Sequence, residues 1–171
     1  TYGTSGPRIR VRVAATWAAP KESEPGALLG GGKATPMGGV LPAAPSSDAR
    51  PTFVVTAQRD PRSAPLERLQ LVRGWIDAEG ATHERVFDIA CADGAKPNAE
   101  TGFCDHAAPD PDLESCAWVE DAGRAEMRAR WTDPSPPAPG GTFYYARVLE
   151  IPTCRWSVSY THLTLPTKVT V

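Results

Sequence analysis

The chain has 171 residues, 41% of them hydrophobic and 22% charged, proportions of a folded globular domain that exclude wholesale disorder. A net charge of −2 gives no overall electrostatic footprint for nucleic acid or an anionic membrane. No apolar run approaches the roughly 18 residues of a membrane-spanning helix, which excludes that class as well.

In chain order, Ile9, Val11 and Val13 alternate with Arg8, Arg10 and Arg12, the period-two pattern of a strand with one buried face. Residues 18–51 hold six Pro and six Gly, including Gly30-Gly31-Gly32 and Met37-Gly38-Gly39. No helix survives that density of breakers, so a long loop is predicted. Residues 52–57 are rich in β-branched side chains and read as a short strand, followed by the turn formers Asp60-Pro61 and Ala64-Pro65. Residues 69–76 and 85–91 are two further strands, separated by Asp77-Ala78-Glu79-Gly80 and paired as a hairpin. A polar, turn-rich stretch follows over residues 92–115. Residues 125–131 contain good helix formers, yet Ala125, Met127, Ala129 and Trp131 alternate with charged neighbours, which favours a strand ending before Asp133-Pro134. Residues 143–151 form the clearest strand, stopped by Pro152. Six short strands predict a mainly β, antiparallel, sandwich-like fold with long Gly/Pro-rich loops and little helix.

Several blocks come in an order that resembles a known family. They are Tyr2-Gly3-Thr4-Ser5-Gly6-Pro7-Arg8-Ile9, Pro36-Met37-Gly38-Gly39, Leu69-Gln70-Leu71-Val72-Arg73-Gly74-Trp75, Val86-Phe87-Asp88-Ile89-Ala90-Cys91 and Thr101-Gly102-Phe103-Cys104. Trp131-Thr132-Asp133-Pro134 and the run from Phe143 to Thr153 complete the set. Over residues 1–157 the chain resembles the C-terminal part of the DUF3604 family, large bacterial proteins of unknown function. The resemblance implies a relation to the PHP metal-dependent phosphoesterases, whose metal-binding histidines and acids belong to an N-terminal part. No metal ligand is carried onto a residue of this chain. The implied layout is an incomplete exit strand of a PHP-like barrel at 1–17, the Gly/Pro-rich loop at 18–51, and an incomplete β-rich C-terminal region at 52–157. The implied partner is the N-terminal metal-binding domain of the same protein, which would hold a divalent metal. No cofactor is expected within this stretch, and neither nucleic acid nor a membrane is expected as a partner. Without the barrel, Ile9, Val11 and Val13 are expected to expose an apolar face. Residues 158–171 resemble the one-frame translation of a transposase adapter used in sequencing libraries, through Val158-Ser159-Tyr160-Thr161-His162-Leu163-Thr164-Leu165-Pro166-Thr167, and are set apart from the fold.

The residues that could carry chemistry are few. Cys91, Cys104, His106 and Cys116 could be imagined around zinc, but the close cysteine pairs of structural zinc sites are missing. A bridge such as Cys91–Cys104 is the preferred reading, with free thiols as the alternative. Bridges would favour a periplasmic or extracellular setting. Asp105, Asp110, Asp112 and Glu114 crowd one loop without the glycine and spacing of a calcium loop. In Gly30-Gly31-Gly32-Lys33-Ala34-Thr35 the hydroxyl comes one residue too late for a phosphate loop, and no helix follows. Ser5, Ser63 and Ser115 lack a nucleophile setting, and no catalytic residue is assigned. Among Trp17, Trp75, Trp118, Trp131 and Trp156, the faces of Trp75 and Trp118 are candidates for stacking on a sugar, against the commoner role of filling a core. Arg8, Arg10 and Arg12 form one charged strand face, either solvated or packed on the barrel or an anionic substrate. The expected function is that of a non-catalytic piece of a metal-dependent hydrolase of phosphate or related esters. The alternative is a β-rich module that binds a glycan or a partner subunit.

Overall fold

A computed structural model describes residues 3, 6–17, 34–105 and 108–154. Among them the strands are β1 (Arg10–Thr16), β2 (Thr35–Pro36), β3 (Thr52–Gln58), β4 (Leu66–Ile76), β5 (Thr82–Cys91), β6 (Glu126–Thr132) and β7 (Thr142–Glu150), with one 3-10 turn at Glu120–Ala122. They build two antiparallel sheets, ordered β2-β1-β3-β6 and β5-β4-β7. The fold is mainly β and sandwich-like.

Alternation sorts each strand into an inner and an outer set. Phe53, Val55 and Ala57 of β3 and Met127 and Ala129 of β6 turn inward, against Leu66, Leu69 and Leu71 of β4. The stretch that could have been helical therefore pairs with β3 over its whole length, from Thr52↔Thr132 to Gln58↔Glu126. Its helix-forming residues yield to the gain from burying Met127 and Ala129. Aromatic rings close the same core: Phe53 lies 4.5 Å from Tyr144, and Phe87 lies 4.8 Å from Trp131.

Two expectations change. The loop predicted over 18–51 contains β2, whose Thr35 and Pro36 pair with Ala15 and Ala14. Pro36 is tolerated because β2 is the sheet edge, where a missing N–H costs no ladder bond. The apolar side chains of the first strand also find their cover within this domain. β1 pairs with β3 from Arg10↔Gln58 to Thr16↔Thr52, and Ile9, Val11 and Val13 pack against the core. They remain only partly buried, because β1 borders the open side of the sandwich. Among the described residues, no helix is long and apolar enough to cross a membrane.

Candidate functional site

Among the described residues, the side of the sandwich between β1–β2 and β7 is open. A cleft of about 790 Å³ runs between Pro7, Ile9 and Val11 on one wall and residues 145–153 on the other. A second hollow of about 420 Å³ continues it past Met37 to Trp17, Phe53 and Tyr144. Most of the lining is apolar. The main exception is Glu150, paired with inward-facing Leu66 at the lower end. Its Oε2 accepts from Ser63 Oγ at 2.8 Å, while Oε1 is buried without a partner. Burial, aided by the nearby Asp60 charge, pushes the Glu150 carboxyl above its usual range, although the Ser63 bond opposes this.

A carboxyl raised in this way lowers stability as pH rises, because the unfolded chain ionises first. Its contribution is fully present below the ordinary carboxylate range and is lost as pH climbs through the raised folded value. Glu150→Gln keeps an acceptor for Ser63 and removes the charge. The substitution is therefore expected to raise Tm at pH 7 and to make no difference below about pH 4. A Tm difference in thermal melts that is constant across that range would refute the assignment.

Two polar clusters organise the rest. Inside the sandwich, Arg73 of β4 reaches Asp133, just past β6: Arg73 Nη1 donates to Oδ1 at 3.1 Å, and Nη2 donates to the Pro136 carbonyl at 2.9 Å. The Tyr144 hydroxyl donates to Asp133 Oδ2, and the Ser135 N–H donates to Oδ1 at 2.8 Å. The Tyr144 phenol is pushed far above its usual range, chiefly by burial and then by the Asp133 bond, so it stays a donor. On the outer face of the second sheet, Asp88 takes Gln70 Nε2 at 2.6 Å, the Cys104 N–H at 2.8 Å and Arg68 Nη1 at 3.3 Å. Gln70 Oε1 in turn accepts from Arg147 Nε at 2.6 Å. This network seats the loop after β5 on the sheet.

The candidate residues are spread over these features. Cys91 and Cys104 are joined in a disulfide, and Cys116 is joined to Cys154. Those cysteines are therefore not available as thiolate ligands, while His106 lies outside the described residues. Trp75 is half-buried, stacked on His83 at 5.1 Å and covered by the Arg73 guanidinium at 4.8 Å. His83 Nε2 and Asp77 Oδ2 are hydrogen-bonded at 2.7 Å, and that bond with the Ala81 N–H holds the Asp77 carboxyl below its usual range. Trp118 sits apart, before the 3-10 turn, 37% exposed with its Nε1 donating to Glu120. Arg10 and Arg12 share the exposed outer face of β1; Arg8 precedes the strand and anchors its N–H on Asp60 at 2.9 Å. The loop acids do not converge: Asp112 holds Ser115 and the Glu114 N–H, whereas Asp105 meets Asn98. Thr35 belongs to β2, and residues 30–33, Ser5, Trp156 and the tail at 158–171 lie outside the described residues.

The model of a family described as a protein of unknown function, DUF3604, matches residues 1–170. The chain belongs to the DUF3604 family. No curated protein and no solved structure matches it. Within this DUF3604 sandwich, no group of three or more His, Cys, Asp or Glu among the described residues could hold a metal ion. Asp88, Asp133 and Glu150 escaped the sequence-based selection. The available signal was a charged residue inside an otherwise apolar strand, as in Leu69-Gln70-Leu71-Val72-Arg73 and Val86-Phe87-Asp88-Ile89, since a buried charge needs a buried partner.

Proposed function

We propose that this sandwich is a non-catalytic part of a larger bacterial DUF3604 protein, and that the larger protein is a metal-dependent hydrolase of phosphate or related esters. Its metal site, akin to that of the PHP phosphoesterases, belongs to an N-terminal domain, where bound metal would activate a water as nucleophile. The observation that carries this reading is the use made of the sandwich's own polar groups. Asp77 and His83 close a hairpin, Asp88 seats a loop, and Asp133 braces the two sheets. These groups are committed to the fold. The apolar cleft beside Pro7 and Ile9 offers a surface for the neighbouring domain to cover. Two disulfides support a periplasmic or extracellular setting. Residues 158–171 are retained in this proposal as adapter-derived, which resequencing the source DNA across codons 156–171 tests separately.

The test is hydrolysis of an activated phosphodiester by the full-length protein before and after exhaustive chelation, beside the 171-residue chain supplied with Mn²⁺ or Zn²⁺. Activity of the full-length protein should disappear on chelation and return with metal, and the chain should stay inactive. Hydrolysis that survives chelation, or that the chain performs alone, would overturn the proposal. A second reading, a module that binds a glycan or a partner subunit, is favoured by one observation. Phe143 and Tyr145, 60% and 42% exposed, present parallel rings on the outer face of β7. Glycan binding that is lost on Tyr145→Ala would favour it.

A further inference from the structure

Strand register gathers arginines from two distant stretches onto one surface. Across β1, β3 and β6, the outer face of the first sheet reads in rows. The first row is Thr16, Thr52 and Thr132, and the second is Ala14, Val54 and Arg130. The third is Arg12, Thr56 and Arg128, and the fourth is Arg10, Gln58 and Glu126. Arg10, Arg12, Arg128 and Arg130 are all exposed. Among the described residues, the ion pair formed on this face joins Arg128 to Glu126 of the same strand at 2.6 Å. Four guanidinium groups against one carboxylate make the face strongly basic on a chain whose net charge is −2.

The layout indicates what such a face accepts. Neighbouring strands lie about 5 Å apart, so the two arginine columns flank β3 on either side. Between them Val54 and Ala14 are buried, 1% and 5% exposed, and Thr56 is half-buried, so the arginines themselves carry most of the exposed face. A surface carried by arginine without lysine is the composition of a protein interface, where arginine is enriched and lysine depleted. Guanidinium forks pair with carboxylates through two parallel hydrogen bonds. A small anion would need donors converging in a concave site, whereas these project from a pleated sheet. Apart from the Arg128–Glu126 pair, these like charges repel one another, a cost that an acidic partner would relieve.

We propose that this face docks an acidic protein surface, whose Asp and Glu carboxylates are taken by Arg10, Arg12, Arg128 and Arg130. The assignment goes beyond the proposed function and holds whatever reaction the larger protein catalyses. Poly-L-glutamate serves as the carboxylate probe for the 171-residue chain, titrated at several salt concentrations. Binding should be saturable at low salt and weaken as salt rises. Arg12→Glu with Arg128→Glu should lower affinity by about tenfold or more, because rim charges steer and hold an oppositely charged partner. Arg10→Gln with Arg130→Gln, which removes charge without reversing it, should give a smaller loss. Arg62→Glu, at an exposed loop position, should leave binding unchanged. Equal loss in the Arg62 variant, or no binding at low salt, would overturn the proposal. Tighter binding of polyphosphate or polygalacturonate than of poly-L-glutamate would also overturn it, by reassigning the face to another class of polyanion.

Discussion

Asp133→Ala is expected to lower the unfolding free energy by about 3–5 kcal/mol, the usual result of removing one partner from a buried ion pair. The side chain of Asp133 is 0% exposed and that of Arg73 is 8% exposed. After the substitution Arg73 would keep the Pro136 carbonyl and the Trp75 ring, neither of which carries a compensating charge. The Tyr144 hydroxyl would lose its acceptor inside the sandwich, adding a second unsatisfied group. The effect should be far smaller when charge is removed from both partners. Arg73→Leu combined with Asp133→Leu leaves no isolated ion, and such exchanges are often close to neutral. Urea unfolding of the single and double variants measures both. A single variant within about 1 kcal/mol of the parent chain would show that water reaches Arg73 and that the brace is ornamental. Tyr144→Phe should fall between, since it removes one hydrogen bond and leaves the ion pair whole.

The brace also explains why some of this molecule was legible in the sequence and some was not. The strands were legible because alternation is local: Met127 and Ala129 reveal an inner face within seven residues, and the hairpin of β4 and β5 follows from two apolar runs around Asp77-Ala78-Glu79-Gly80. β2 was not, because a two-residue strand has no period to detect. It exists through the backbone of β1, with the Met37 N–H donating to the Val13 carbonyl at 3.1 Å. The partners of polar residues were illegible for a related reason. Arg73 and Asp133 are 60 positions apart, and Gln70 and Arg147 are 77 apart. Strand periodicity says that Arg73 faces the core but carries no information about which distant loop supplies the carboxylate. The arginine face has the same origin. Arg10 and Arg12 look like an ordinary solvated stripe until β3 places Arg128 and Arg130 beside them.

Loss of the Cys91–Cys104 bridge should be the other large effect. The two cysteines are 13 residues apart, and for a closed loop of that size the chain-entropy model gives about 3 kcal/mol. Residues 92–103 form no strand of their own, so the loop's native position depends on the bridge and on Asp88. The Cys104 N–H donates to Asp88 Oδ2, and the Asp88 N–H donates to the Gly102 carbonyl at 3.0 Å. Cys91→Ala with Cys104→Ala should therefore destabilise the chain in urea, and should also speed hydrogen exchange at the backbone amide of position 104 relative to amides in the middle of β3. The Cys116–Cys154 bridge separates its cysteines by 38 residues, for which chain entropy alone predicts a larger loss, about 4 kcal/mol. The comparison decides between two accounts of these bridges. If removing Cys116–Cys154 costs more, restriction of the unfolded chain dominates. A greater cost for Cys91–Cys104 means that the bridge acts through the native state, by holding a backbone N–H against a carboxylate whose side chain is 0% exposed. If neither pair matters under oxidising conditions, the proposed role of the disulfides in stabilising the sandwich is wrong.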